Sequence, residues 1–247
     1  MKFIGFLWAW LLWPLGAALA ADTEGHPGLE QRLQEVAADV AGAEQRCREG
    51  AGEVCFALGV HFYAREVDLP RAVENFARAC QAGFGGGCSM AGGLYDQGPP
   101  ALLDAVKAAE FFVRGCQLQQ ALDCYHLALK HAKGEGVARN YETARDLYTK
   151  ACELGHSKAC NNLAHLYEKG MGTRKNLVRA LELVEQACTM DDALGCLNAG
   201  DLHAEGRGTP ADPQLAAERY ARACTLGEQS GCERLRQLTE TVSVAGP

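Results

Sequence analysis

The chain has 247 residues, 48% of them hydrophobic and only 7% aromatic, and its acidic residues outnumber its basic ones to give a net charge of −7. That much apolar material suits one or two globular domains and excludes a disordered chain. The acidic balance, with no long basic run, excludes a general electrostatic attraction to nucleic acid or anionic lipid. Abundant Ala, Leu and Gly fit closely approaching helices better than strands, so an all-α chain is expected.

Residues 1–20 differ in kind. Lys2 precedes an apolar run from Phe3 to Trp13, a break at Pro14 and Gly16, and the ending Ala18-Leu19-Ala20, the layout of a secretory signal cleaved after Ala20. A retained membrane anchor is the rival reading, because the run approaches bilayer-spanning length; Pro14 and the small residues at −3 and −1 favour cleavage. The first cysteine is Cys47, so none sits where a lipoprotein signal needs one. Loss of Lys2 leaves 23 Lys and Arg against 31 Asp and Glu, a mature charge of −8. The expected product is exported, periplasmic or secreted, with a flexible N-terminus over 21–29 and no stable membrane insertion.

Beyond that point the cysteines set the rhythm. Cys47 and Cys55, Cys80 and Cys88, Cys116 and Cys124, Cys152 and Cys160, Cys188 and Cys196, and Cys224 and Cys232 form six pairs eight positions apart; successive pairs are separated by 33 residues once and by 36 four times. This is an internal repeat. Eight residues before the first cysteine stands Ala72, Ala108, Ala144, Ala180 or Ala216, and four before it Phe76, Phe112, Tyr148, Val184 or Tyr220. Those offsets share a helical face and define a helix A. After the second cysteine, small or apolar residues recur at +3 and +4, as in Leu163 and Ala164, and a ring at +7 in Phe62, Tyr95, His131, Tyr167 or His203; this is a helix B. Gly98, Gly134, Gly170 and Gly206 are expected to close helix B in the left-handed conformation. Gly50, Gly83, Gly155 and Gly227 break helix A three residues after the first cysteine, where the third repeat has Gln119.

Two helices so closely joined lie antiparallel, and hairpins of about thirty residues must stack to bury their apolar faces. The reading is one solenoid over 30–240, with hairpins at about 30–66, 69–98, 102–134, 139–170, 176–206 and 212–240 and a disordered tail at 241–247. The ends look like caps: Asp39 replaces the alanine at −8 in the first repeat, and Arg236 and Thr239 take the small and ring positions in the last.

Three chemistries could use such cysteine pairs. Zinc sites favour close-set pairs such as C-x2-C, and the histidines do not recur with the cysteines, His156 being the only one inside a pair. A redox site calls for C-x-x-C and has no reason to appear six times. A disulfide in each hairpin, paired in the order given above, fits an even count in an exported chain. Closing a loop of about nine residues stabilises by roughly 2.5 kcal/mol in the chain-entropy model, and six by at most about 15 kcal/mol.

The stretch YETARDLYTKACELGHSKACNNLAHLYEKGMG, residues 141–172, resembles the Sel-one-like repeat, a relative of the tetratricopeptide repeat, in the disulfide-bearing form of the Helicobacter cysteine-rich proteins. The resemblance covers about residues 30–238; it departs at FYAREVDLP in the first repeat, which lacks the G-x-G, and at Gln119. It implies a right-handed α-solenoid that offers a concave face to a peptide or partner protein. For some of the secreted group it also implies a penicillin-binding or weak β-lactamase activity, with a β-lactam or cell-wall peptide as partner.

The residues themselves supply no catalytic, cofactor or metal set. None of Ser89, Ser157, Ser230 and Ser243 has a lysine at +3, so S-x-x-K is absent, as are H-E-x-x-H, G-x-S-x-G and a Walker sequence. His131 and His203 take a ring position and read as packing; His126, His165 and His61 point in different directions around helix B. Asn161 and Asn162 suit a peptide backbone but also an ordinary polar helix face. The favoured function is a monomeric protein- or peptide-binding scaffold, the alternative β-lactam hydrolysis on the same frame.

Overall fold

The structure, a computed structural model, describes residues 28–66 and 68–244; the signal-like segment and Ala20 lie outside them. Among the described residues there are thirteen α-helices and no strand. In chain order they are α1 Leu29–Ala38, α2 Val40–Arg48, α3 Gly52–His61, α4 Leu69–Gln81, α5 Gly85–Gln97, α6 Ala105–Gln117, α7 Ala121–Lys133, α8 Tyr141–Glu153, α9 Ser157–Lys169, α10 Leu177–Thr189, α11 Ala193–Glu205, α12 Pro213–Thr225 and α13 Gln229–Val244. No described helix is long and apolar enough to cross a membrane. The helices form two compact units. One takes the described residues through Asp123 with Glu135–Val137, the other Cys124–Gly134 with Ala138 onward, and each is a stack of helical hairpins.

Every A helix from the second repeat on starts at a carboxylate or carboxamide twelve residues before its first cysteine. Asp68, Asp104, Asn140, Asn176 and Asp212 accept hydrogen bonds from the first-turn N–H groups of Arg71, Lys107, Thr143, Arg179 and Leu215, satisfying donors that a helix start leaves unpaired. The first repeat lacks a cap at that position. Its A helix is instead broken in two at Asp39, which is exposed and whose side chain accepts from Gly42 N and starts α2.

Each A helix ends at a left-handed residue three positions after its first cysteine. Gly50, Gly83, Gly155 and Gly227 have φ between 86 and 96°, and Gln119 and Asp191 hold the same region at 63 and 61°. The departure at Gln119 therefore leaves the bend intact. Helix B closes on left-handed Gly134, Gly170 and Gly206, but Gly98 is extended, φ −74° and ψ −169°; Pro99 follows it and bars the residue before it from helical geometry. The helix of the first repeat ends in one wide π turn over Phe62–Glu66. The last helix runs on to Val244, past the boundary at 240, since Thr241-Val242-Ser243-Val244 holds no glycine or proline to break it.

Packing between hairpins repeats one contact. Gly59, Gly92 and Gly200, four residues after a second cysteine, lie under the rings of Phe76, Phe112 and Tyr220, each four residues before the next first cysteine; a Cβ on any of these glycines would come within 2.5–2.6 Å of the ring. Alanine serves at the other two junctions, Ala128 ahead of Tyr148 and Ala164 ahead of Val184. The rings are buried, worth about 1.5–3 kcal/mol each in removed apolar surface. In the first unit Phe56 adds a second layer, 5.6 Å from Phe76 and 4.9 Å from Phe84 between ring centroids.

Candidate functional site

The cysteines sit where each A helix turns into its B helix. Cys47–Cys55, Cys80–Cys88, Cys152–Cys160, Cys188–Cys196 and Cys224–Cys232 are bonded with Cα atoms 4.4–4.8 Å apart; Cys116 and Cys124 are disulfide-bonded too, and no cysteine is free. The disulfides hold the hairpins together.

The cleft that stands out lies in the second unit, between α9 and α11 with α10 as its floor. It encloses about 270 Å³ and is lined by Asn161, Asn162, Ala164, His165, Glu168, Ala180, Val184, Asn198, Asp201, Leu202 and Arg207. Its walls are adjacent B helices, and the residues at +2 and +5 from the second cysteine of each, Asn162 and His165 on one and Asn198 and Asp201 on the other, line it together with Asn161 at +1 of the first. Asn198 Nδ2 donates to Asn161 Oδ1 at 2.7 Å, and Asn162 Nδ2 donates to the Tyr148 hydroxyl at 3.4 Å. The Tyr220 hydroxyl donates to Asp201 at 2.8 Å. Where α9 ends, Arg207 bridges Glu168 at 2.9 Å and Glu205 at 3.1 Å. Burial works to raise the Glu168 carboxyl, but hydrogen bonds from Lys169 and Arg207 outweigh it and hold the group below its ordinary value. Burial pushes the Tyr148 hydroxyl up to about 12, and burial followed by the Asp201 contact raises Tyr220 further. Both hydroxyls therefore keep their protons at physiological pH, that of Tyr148 accepting from Asn162 and that of Tyr220 donating to Asp201.

An apolar floor with three carboxamides, the two carboxylates Glu168 and Asp201 and the guanidinium of Arg207 above it offers both donors and acceptors. Each carboxamide keeps capacity beyond the bonds named, which is what a peptide backbone needs. No serine lines the cleft: Ser89 donates to Asp123 at 2.9 Å and Ser157 to Asp192 at 3.4 Å. No cluster of His, Cys, Asp or Glu among the described residues could hold a metal ion.

The structure brings Asn161, Asn162 and His165 together in this cleft, but not the other histidines. His203 is buried, and its Nε2 lies 2.7 Å from Glu185, itself gripped by Arg219, so the ring position there also carries a polar link between repeats. His131 Nδ1 lies 3.3 Å from Ala138 O. His156 stacks on Tyr125, with centroids 4.3 Å apart. Sequence reasoning missed Asn198, Asp201, Glu168 and Arg207. The first two sit at the offsets of Asn162 and His165 one repeat later, a recurrence that could have found them.

Stacked helical hairpins, each stapled at its bend and with a polar cleft between neighbouring B helices, define a class: the disulfide-linked helical repeat scaffold. The Sel1 repeat model matches residues 52–84, 121–156, 157–192 and 193–228, more than half of the chain, and the chain belongs to the Sel1 repeat family. Among solved structures, a protective antigen of uropathogenic Escherichia coli with an SLR fold aligns at TM-score 0.75 and 23% identity over 83% of this chain. The alignment spans 44% of that antigen, less than half its length. A Sel1 repeat protein from Oxalobacter formigenes aligns at TM-score 0.69 and 18% identity, over 85% of this chain and 87% of the other. Helicobacter pylori cysteine rich protein B aligns at TM-score 0.45 and 28% identity, over 56% of this chain and 98% of the other. The first two share the fold. No curated protein matches the chain in sequence.

Proposed function

We propose that this chain is an exported binding scaffold that takes an extended peptide segment of a partner protein into the cleft between α9, α10 and α11. The observation that carries the reading is the set of three carboxamides, Asn161, Asn162 and Asn198, in one cleft with an apolar floor. The volume supports it: about 270 Å³ is below the roughly 300–1,000 Å³ of sites that enclose a small molecule, and suits one or two side chains of a chain laid across the surface. Six disulfides support export, since such bonds persist in oxidising compartments.

Panning a random decapeptide library against the oxidised full-length chain tests the reading. Peptides are expected to be selected, and an Asn162→Leu, Asn198→Leu double variant with unchanged helical circular dichroism is expected to lose them at least tenfold. Recovery of no peptide, or equal binding by the variant, overturns it.

A further inference from the structure

We propose that the segment taken up by this cleft is acidic. The inference rests on the reading of the cleft as a peptide site and names the chemistry of its ligand. The chain as a whole repels such a ligand, but its charge is unevenly distributed. Residues 124–180 hold ten Lys and Arg against five Asp and Glu, whereas 21–123 hold eight against fifteen and 181–247 five against eleven. A stretch of +5 therefore lies between stretches of −7 and −6. It contributes α9, whose charged residue in the cleft is the carboxylate Glu168, and the loops on either side of the fourth hairpin, so the positive charge that a ligand meets lies in those loops beside the cleft rather than on its walls.

Part of this charge has no internal partner. Arg174 and Lys175, in the loop that follows α9, are exposed and form no ion pair with any described residue. Arg139, exposed in the equivalent loop one repeat earlier, lies over the ring of Tyr141 at 6.0 Å and meets no carboxylate. These loops recur in adjacent hairpins at the end of the B helices where Glu168 and Arg207 close the cleft. Lys175 stands against Gly170 at that end, its N 3.3 Å from where a Cβ on Gly170 would lie, so an extended segment that leaves the carboxamides there runs towards Arg174 and Lys175. Cations beside a partly enclosed groove raise the local concentration of an anionic ligand and speed its capture, and because they are exposed their effect fades beyond about 8 Å at physiological salt. A lipid headgroup surface is the weaker match, since it has no use for a groove of carboxamides that satisfies backbone amides.

The library selection is scored for charge. Peptides recovered at 50 mM salt are expected to be enriched in Asp and Glu at least threefold over the input, and their affinity to fall at least fivefold at 500 mM salt. An Arg174→Glu, Lys175→Glu variant is expected to lose the acidic enrichment while still selecting peptides, because the carboxamides remain. Neutral or basic peptides from the native chain, or unchanged acidic enrichment from the variant, overturn the inference and leave the peptide site standing. If no peptide is recovered, both fall. Binding of the native chain to phosphatidylglycerol vesicles through Arg174 and Lys175, with no preference for acidic peptides, also overturns it.

Discussion

The ring of His156 lies nearly parallel to that of Tyr125, with centroids 4.3 Å apart and 22° between the planes. Its Nδ1 is buried with no hydrogen-bond partner among the described residues. Burial first, then the charges of His126 and Lys158, lower its pKa to about 4. The unfolded chain takes up a proton near pH 6.5 while the folded one resists until about pH 4. The contribution of His156 is thus fully present above pH 6.5 and is lost as pH falls towards 4. Denaturant melts of the native chain should show a loss of up to about 3 kcal/mol across that window, and His156→Phe should remove most of the slope. An identical slope in the variant refutes the assignment.

Gln119 pays a conformational penalty that its glycine counterparts escape. It is exposed at φ 63°, a region that costs an L-residue roughly 1–2 kcal/mol, offset in part by the extra freedom glycine brings to the unfolded chain. Gln119→Gly is expected to stabilise by about 0.5–1 kcal/mol in equilibrium unfolding. A destabilised variant would show that the side chain has a role of its own.

Gly200 and Tyr220 form a size-matched pair across two repeats. A methyl at Gly200 would lie 2.5 Å from the ring, so Gly200→Ala should cost about 1–3 kcal/mol. Adding Tyr220→Val recreates the Ala164 and Val184 pairing of the preceding junction. A double-mutant cycle should return a favourable coupling of at least about 1 kcal/mol, and strict additivity would sink the idea.

The staple between Cys152 and Cys160 spans eight positions. Replacing both by alanine is expected to cost about 2–3 kcal/mol, measured by denaturant unfolding. Peptide mapping without reductant should recover each of the six pairs within its own hairpin; a crosslink between hairpins contradicts the pairing.

Much of this architecture is legible in the letters, because the repeat states each rule several times. Ala144, Tyr148, Leu163 and Ala164 mark buried faces by offset alone, and all four are buried. The cap at −12 recurs in the letters as well, as Asp68, Asp104, Asn140, Asn176 and Asp212, but it falls outside the apolar pattern that marks the helices. The break at Asp39 is not legible, since offset cannot tell a residue that only faces solvent from one whose side chain also turns back on its own backbone. The cleft was half legible. Asn162 declares its helix face, but a groove belongs to two helices at once, and only the three-dimensional stack sets Asn198 against Asn161. Arg207 lay hidden between the glycines of a loop, where periodicity carries no signal.

Because every crosslink closes within eight residues of where it begins, no bond depends on the number of hairpins before or after it. A copied 36-residue stretch would bring its own covalent lock and leave the existing connectivity unscrambled. The protein is thus built for growth by duplication, in contrast to small disulfide-rich folds whose interwoven bridges forbid insertion, and each hairpin can oxidise as it emerges without waiting for a distant thiol.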